Sequence, residues 1–178
     1  QEFHTSAGNA YRKSETDHPV DDRQQKHLVL YNVMVAAPDQ LRQRVAWAIA
    51  QILVVGEHLT GRENEVWHNF YDIFVRHAFG NYRDVLREVS YSPLMADYLT
   101  FLGNKALSYQ KEVLGTEAFP DENFAREIMQ LFTIGPLARR PDGTRELDGR
   151  GPPVAARGND EIMTLARAWT GFGRNDAR

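Results

Sequence analysis

Hydrophobic positions recur at helical spacing through most of the chain, interrupted by glycine and proline. Residues 1–27 break that pattern. Only Phe3, Ala7, Ala10, Tyr11 and Val20 are apolar there, so the segment reads as a polar N-terminal arm. From Leu28 to Ala37 the chain is almost continuously apolar. Periodicity does not separate helix from strand in so short a run, and the helical flanks favour helix. Leu41, Val45, Ala48, Ile52 and Val55 then follow at spacings of four, three, four and three. That pattern predicts one buried helix face, opened by Pro38 and Asp39 and stopped at Gly56.

The next element is predicted over 63–79, with Trp67, Phe70, Tyr71, Phe74 and Ala78 on one side. Gly80 ends it and Asn81 caps a helix over 82–90 whose inward residues are Val85, Leu86 and Val89. Ser92 and Pro93 open another, running to Gly103. Residues 104–117 read as loop. A helix over 121–134 stops at Gly135-Pro136. Residues 136–158 hold four prolines and four glycines and read as a long loop or small hairpin, with turns at Pro141-Asp-Gly and Leu147-Asp-Gly. Asn159 caps a last helix over 160–170. The fold class is therefore mainly α, an irregular multi-helix bundle with almost no strand. No fixed-length repeat is evident. The predicted organisation is an arm (1–27), one helical domain (28–173) and a tail (174–178).

Composition adds limits. The 178 residues carry 25% charged and 42% apolar side chains with a net charge of −3, which are globular values. That balance argues against nucleic-acid binding through a basic surface. With no cysteine, disulfides, thiol nucleophiles and cysteine-ligated metals are excluded. The apolar stretch 45–56 is too short to span a bilayer, which takes about 20 residues. Gln1 in place of an initiating Met gives the expectation that the chain is a piece of a longer protein.

Candidate chemistry is sparse. On the helix over 121–134, Asn123, Arg126, Glu127 and Gln130 share a polar side. Such a stripe can clamp a polar ligand or orient a water, while Glu122 and Arg126 also form an ordinary i,i+4 pair. Glu122 and Glu127, five residues apart, point roughly 140° away from each other and cannot chelate one ion from an unbroken helix. The six histidines show no HxxxH or HExxH spacing. Neither GxGxxG, GxxxxGK[ST] nor GxSxG occurs. Asp142-Gly and Asp148-Gly are turn residues rather than a calcium loop. No metal and no cofactor is predicted.

Several ordered stretches resemble one family: Leu41-Arg-Gln-Arg-Val-Ala-Trp47, His77-Ala-Phe-Gly-Asn-Tyr-Arg-Asp84, Ser92-Pro-Leu-Met95, Asn123 to Gly135, and Ala166-Arg-Ala-Trp-Thr-Gly171. The chain is similar to DUF1800 proteins over 28–173, and its insert near Asp142-Gly-Thr looks most like the branch of eukaryotic microalgae and protists. The resemblance implies no established activity. It implies an exported or organellar setting and relatives longer than this chain. Where many bacterial members carry Trp-His-Asn-His, this chain reads Ile49, Ala50, Gln51 and Ile52.

Three functions are compatible with these features. The first is a non-catalytic structural or interaction subunit of a larger assembly, using the arm 1–27 and the loop 136–158 on protein partners, with peripheral association to a membrane complex allowed. The second is a carboxylate- or metal-dependent hydrolase, with Asp84, Asn123, Arg126, Glu127 and Arg167 as catalytic candidates. The third is a polar-ligand or carbohydrate-binding domain using Trp67, Phe70, Tyr71 and Tyr91. The first is preferred, because no complete catalytic constellation is visible.

Overall fold

The computed structural model describes residues 22–56 and 64–174. The arm as far as residue 21, the stretch 57–63 with His58, and the tail residues 175–178 lie outside the described residues. The chain is mainly helical, and its contacts fall into two compact units, Gln1–Tyr98 and Leu99–Arg178.

In the first unit, α1 (Asp22–Ala36) and α2 (Gln40–Ala50) precede α3 (Asn64–Arg76), followed by α4 (Tyr82–Ser90) and α5 (Pro93–Tyr98). α3 touches all four of the others. Its sequence explains that position. Phe70, Ile73, Phe74 and Val75 are buried around most of its circumference, and a helix apolar on so many sides must be surrounded. Phe74 meets Phe70 and Tyr71 edge-on, at 5.2 and 6.0 Å. The C-terminus of α3 is closed from outside: the Arg42 guanidinium donates to the Val75 carbonyl at 2.9 Å and lies 4.9 Å from the Phe79 ring centroid. A cation on orphan helix carbonyls is favourable on both hydrogen-bond and dipole grounds. Asn81 caps α4 by accepting from the Arg83 amide at 2.9 Å.

The predicted face of α2 is corrected. Leu41 is 70% and Ile52 50% exposed, and Ala48 is exposed as well. The buried positions are Gln43 and Ala46, with Leu53 just beyond the helix. Gln43 donates to Asp39 Oδ1 at 3.2 Å, so its amide enters the core with a partner. The most apolar face of α2 is not the one that packs: its neighbours cover the side with Gln43 and Ala46, where Asp39 satisfies the Gln43 amide.

In the second unit, α6 (Leu107–Glu112) has no buried residue, while α7 (Asn123–Met129) and α8 (Asn159–Ala166) pack on each other, and Phe124 of α7 enters an aromatic core. The segment 104–117, expected as loop, contains α6. α7 starts two residues later than expected because Asp121 Oδ1 accepts from the Asn123 amide at 2.8 Å. It ends in a π-helical turn, Gln130–Ile134. Phe101, Phe124 and Trp169 meet pairwise at 4.7 to 5.4 Å, and Trp169 stacks on Phe172 at 5.8 Å. Asn104 ties together the segments around this core. It donates to the Asp121 and Trp169 carbonyls, both at 3.2 Å, and accepts from the Asp121 amide at 3.0 Å.

Residues 136–156 form three short extended segments rather than one hairpin. Each pairs with both others through a single antiparallel bridge: Leu137 with Ala155, Arg139 with Arg145, and Leu147 with Pro153. The hydrogen bonds close on themselves. Glu146 N donates to Ala138 O, Ala138 N to Val154 O, and Val154 N to Glu146 O, each at 2.9 Å. Those residues are eight apart. Gly135, Gly143 and Gly151, also eight apart, precede the three segments with φ of 84°, 83° and 103°. The absence of a repeat, read from side chains, is therefore corrected for this region: the period is carried by backbone and glycine.

Candidate functional site

A polar cavity of about 700 Å³ lies in the first unit between α3 and α4. Stop and cap at Gly80 and Asn81 turn α4 back along α3, which brings the end of one helix against the middle of the other. His77 Nε2 is 2.6 Å from Glu88 Oε1, and Arg76 pairs with the other Glu88 oxygen. Partial burial pushes the Glu88 carboxyl up. The hydrogen bonds from His77 and Arg76, with the Arg76 charge, outweigh this and hold it below the usual carboxylate range. Glu88 is thus an anion at neutral pH, and it accepts a hydrogen bond from His77 Nε2. A histidine oriented by a carboxylate beside a cavity can move a proton. Asp84 and Arg87, both on α4, line the same cavity, as does the buried Ser92.

The other candidates sit elsewhere. Asn123, Arg126, Glu127 and Arg167 belong to the second unit. Arg126 donates to Glu122 Oε1 and to Asn159 Oδ1, each at 3.2 Å, and so ties α7 to α8. Asn123 is the first residue of α7. Glu127 is half-buried, and its Oε2 is sealed from solvent without a hydrogen bond. Arg167 is exposed at the C-terminal end of α8. Of the five, Asp84 alone lines the polar cavity. Arg76, His77 and Glu88 are functional candidates that sequence reasoning missed. The available signal was their placement on either side of a Gly-Asn stop-and-cap.

The aromatics divide between two cavities. Trp67 and Tyr71 line a more apolar one of about 370 Å³. The Lys26 ammonium sits 4.7 Å from the Trp67 ring centroid. Tyr91 lines the polar cavity, and Phe70 borders both. Burial pushes the Tyr71 hydroxyl well above the usual phenol range, so it stays neutral. Among the described residues, no group of three or more His, Asp or Glu side chains is placed to hold a metal ion. No described helix is long and apolar enough to cross a membrane.

Two surfaces stand out. Leu28, Tyr31 and Val35 form an exposed apolar stripe on α1, opposite the buried Val29, Val33 and Ala37, and Leu41 and Ile52 add exposed apolar area on and after α2. In the closed ring, every residue over 139–153 is exposed.

The family model described as "Protein of unknown function (DUF1800)" matches residues 3–178. No curated protein matches, and no solved structure does.

Proposed function

The chain belongs to the DUF1800 family, and on that premise we propose that it is a structural subunit that docks on a partner protein. The observation that carries this is the second apolar face of α1. A helix with Val29, Val33 and Ala37 in the core ordinarily turns polar residues outward, yet Tyr31 is 58% and Val35 75% exposed. Apolar stripes of this kind mark interaction surfaces when they cluster. The spacing of Leu28, Tyr31 and Val35, at i, i+3 and i+7, fits a helix-in-groove or helix-pair contact. The arginines bear on the same point: Arg42 and Arg126 are both engaged in holding helices together.

The test replaces Tyr31, Val35, Leu41 and Ile52 by serine in the full chain. Circular dichroism is expected to be unchanged, because these side chains leave no cavity. Co-purification of the tagged chain with its native assembly is expected to be lost. Retention of the whole assembly by a folded variant would refute the reading.

A hydrolase is the second reading, favoured by one observation, the His77–Glu88 pair beside the polar cavity. It places proton transfer on His77, orientation on Glu88 and substrate contact on Asp84 and Arg87. Hydrolysis of simple aryl esters or aryl phosphates that disappears in His77→Ala would support it. Equal rates for the two proteins would remove it.

A further inference from the structure

We propose that the closed ring of residues 136–156 is a docking site for an acidic, aliphatic peptide segment of a partner protein. The inference rests on the reading of the chain as an interaction subunit, and it concerns a different surface from the α1 stripe.

The ring has no core of its own. Its six cross-segment hydrogen bonds, at 2.9 to 3.0 Å, are all backbone, and they leave its side chains free to face outward. Residues 136–158 contain five arginines against two aspartates and one glutamate, a net +2 in a chain of net −3. Among the described residues, none of those arginines lies within ion-pair distance of a carboxylate, whereas Arg42, Arg76 and Arg126 all do. Arg139 and Arg145 are directly opposite one another across a bridge, and Arg140 is adjacent. Like charges facing each other across paired strands repel. The ring's own carboxylates, Asp142, Glu146 and Asp148, make no ion-pair contact with these arginines, and Arg139 turns its guanidinium to the Gly143 carbonyl at 2.9 Å. Carboxylates arriving from outside would relieve the repulsion and match the forked guanidinium geometry.

Three features select a peptide. The next bridge around the ring pairs Leu147 with Pro153, and Leu147 is 52% exposed, so an aliphatic edge adjoins the cationic one. No aromatic residue occurs over 136–158, which removes the stacking platform that single-stranded nucleic acid uses. The remainder of the chain carries −5, which repels a long polyanion or an anionic membrane but not a short segment confined to the ring.

The experiment measures fluorescence anisotropy of a labelled synthetic peptide in which glutamates alternate with leucines, titrated with the full chain. A single-stranded oligonucleotide of equal charge and phosphatidylserine vesicles form the comparison arms. Saturable, salt-sensitive peptide binding is expected, weakened roughly tenfold or more in the triple variant Arg139→Gln, Arg140→Gln, Arg145→Gln. The corresponding triple lysine variant keeps the charge, and intermediate binding is expected of it. The serine variant of the α1 stripe is expected to bind the peptide as the parent does, so failure of the stripe reading leaves this result intact. The proposal is overturned by no peptide binding to the parent chain, by binding that the glutamine variant retains, or by tighter arginine-dependent binding of the oligonucleotide or vesicles.

Discussion

Single side chains carry much of the joinery in this molecule. Asn104 makes three side-chain hydrogen bonds that join the start of the second unit to its last turn and to the entry of α7. Its replacement by alanine leaves two carbonyls and an amide to find new partners. A loss of about 2–3 kcal/mol is expected, read from urea midpoints at unchanged m. Phe101, at the centre of the aromatic cluster, is 1% exposed. Phe101→Ala is expected to cost roughly 3–5 kcal/mol through the cavity it leaves, and to shift Trp169 emission to the red.

Glu88 gives a pH prediction. Burial raises its carboxyl, but His77 and Arg76 hold it below its ordinary 4.5. A depressed acid stabilises the folded chain above the ordinary value, and that contribution is lost as pH falls through the folded value. Glu88→Gln is therefore expected to be less stable than the parent at pH 7. The difference narrows as the buffer is taken below the ordinary value, measured as unfolding midpoints across that range.

At the scale of elements, the ring 136–156 behaves as one unit because its hydrogen bonds are cyclic. Glu146→Pro removes the amide that donates to Ala138 O. Loss of exchange protection is expected at Ala138 and Val154 together, with α7 and α8 unaffected. Gly143 has φ of 83°, and no atom lies within 4 Å of where a Cβ would stand, so its requirement is conformational rather than steric. Gly143→Ala is expected to cost about 1 kcal/mol or somewhat more. The ring is legible in outline: Pro141-Asp-Gly and Leu147-Asp-Gly read as turns and both are, with the positive φ on the expected Gly143 in the first but on Gly151, two residues past Gly149, in the second. What the turn signals could not convey is that three segments pair in a cycle. The glycines at 135, 143 and 151 were the available clue. α2 shows the opposite failure. Its period was right and its face wrong, because periodicity reports where apolar side chains align, not which side a neighbouring helix approaches.

For the whole molecule, each unit has its own core, around Phe74 in the first and around Phe101, Phe124 and Trp169 in the second. The helical class, the cap at Asn81 and the stop at Gly135 follow from the sequence alone. They depend on local backbone preferences and on contacts within a few residues. The family likewise follows from motifs spread along the chain. Tertiary structure alone decided which groups meet. It brought His77 and Arg76 onto Glu88 across a helical turnaround, and it set Asp84 in one unit and Arg126, Glu127 and Arg167 in the other. It also left the second apolar face of α1, and Leu41 and Ile52 on and after α2, facing outward. Those outcomes depend on which surfaces pack at closest distance, a property of side-chain volume in three dimensions that no spacing along the chain encodes.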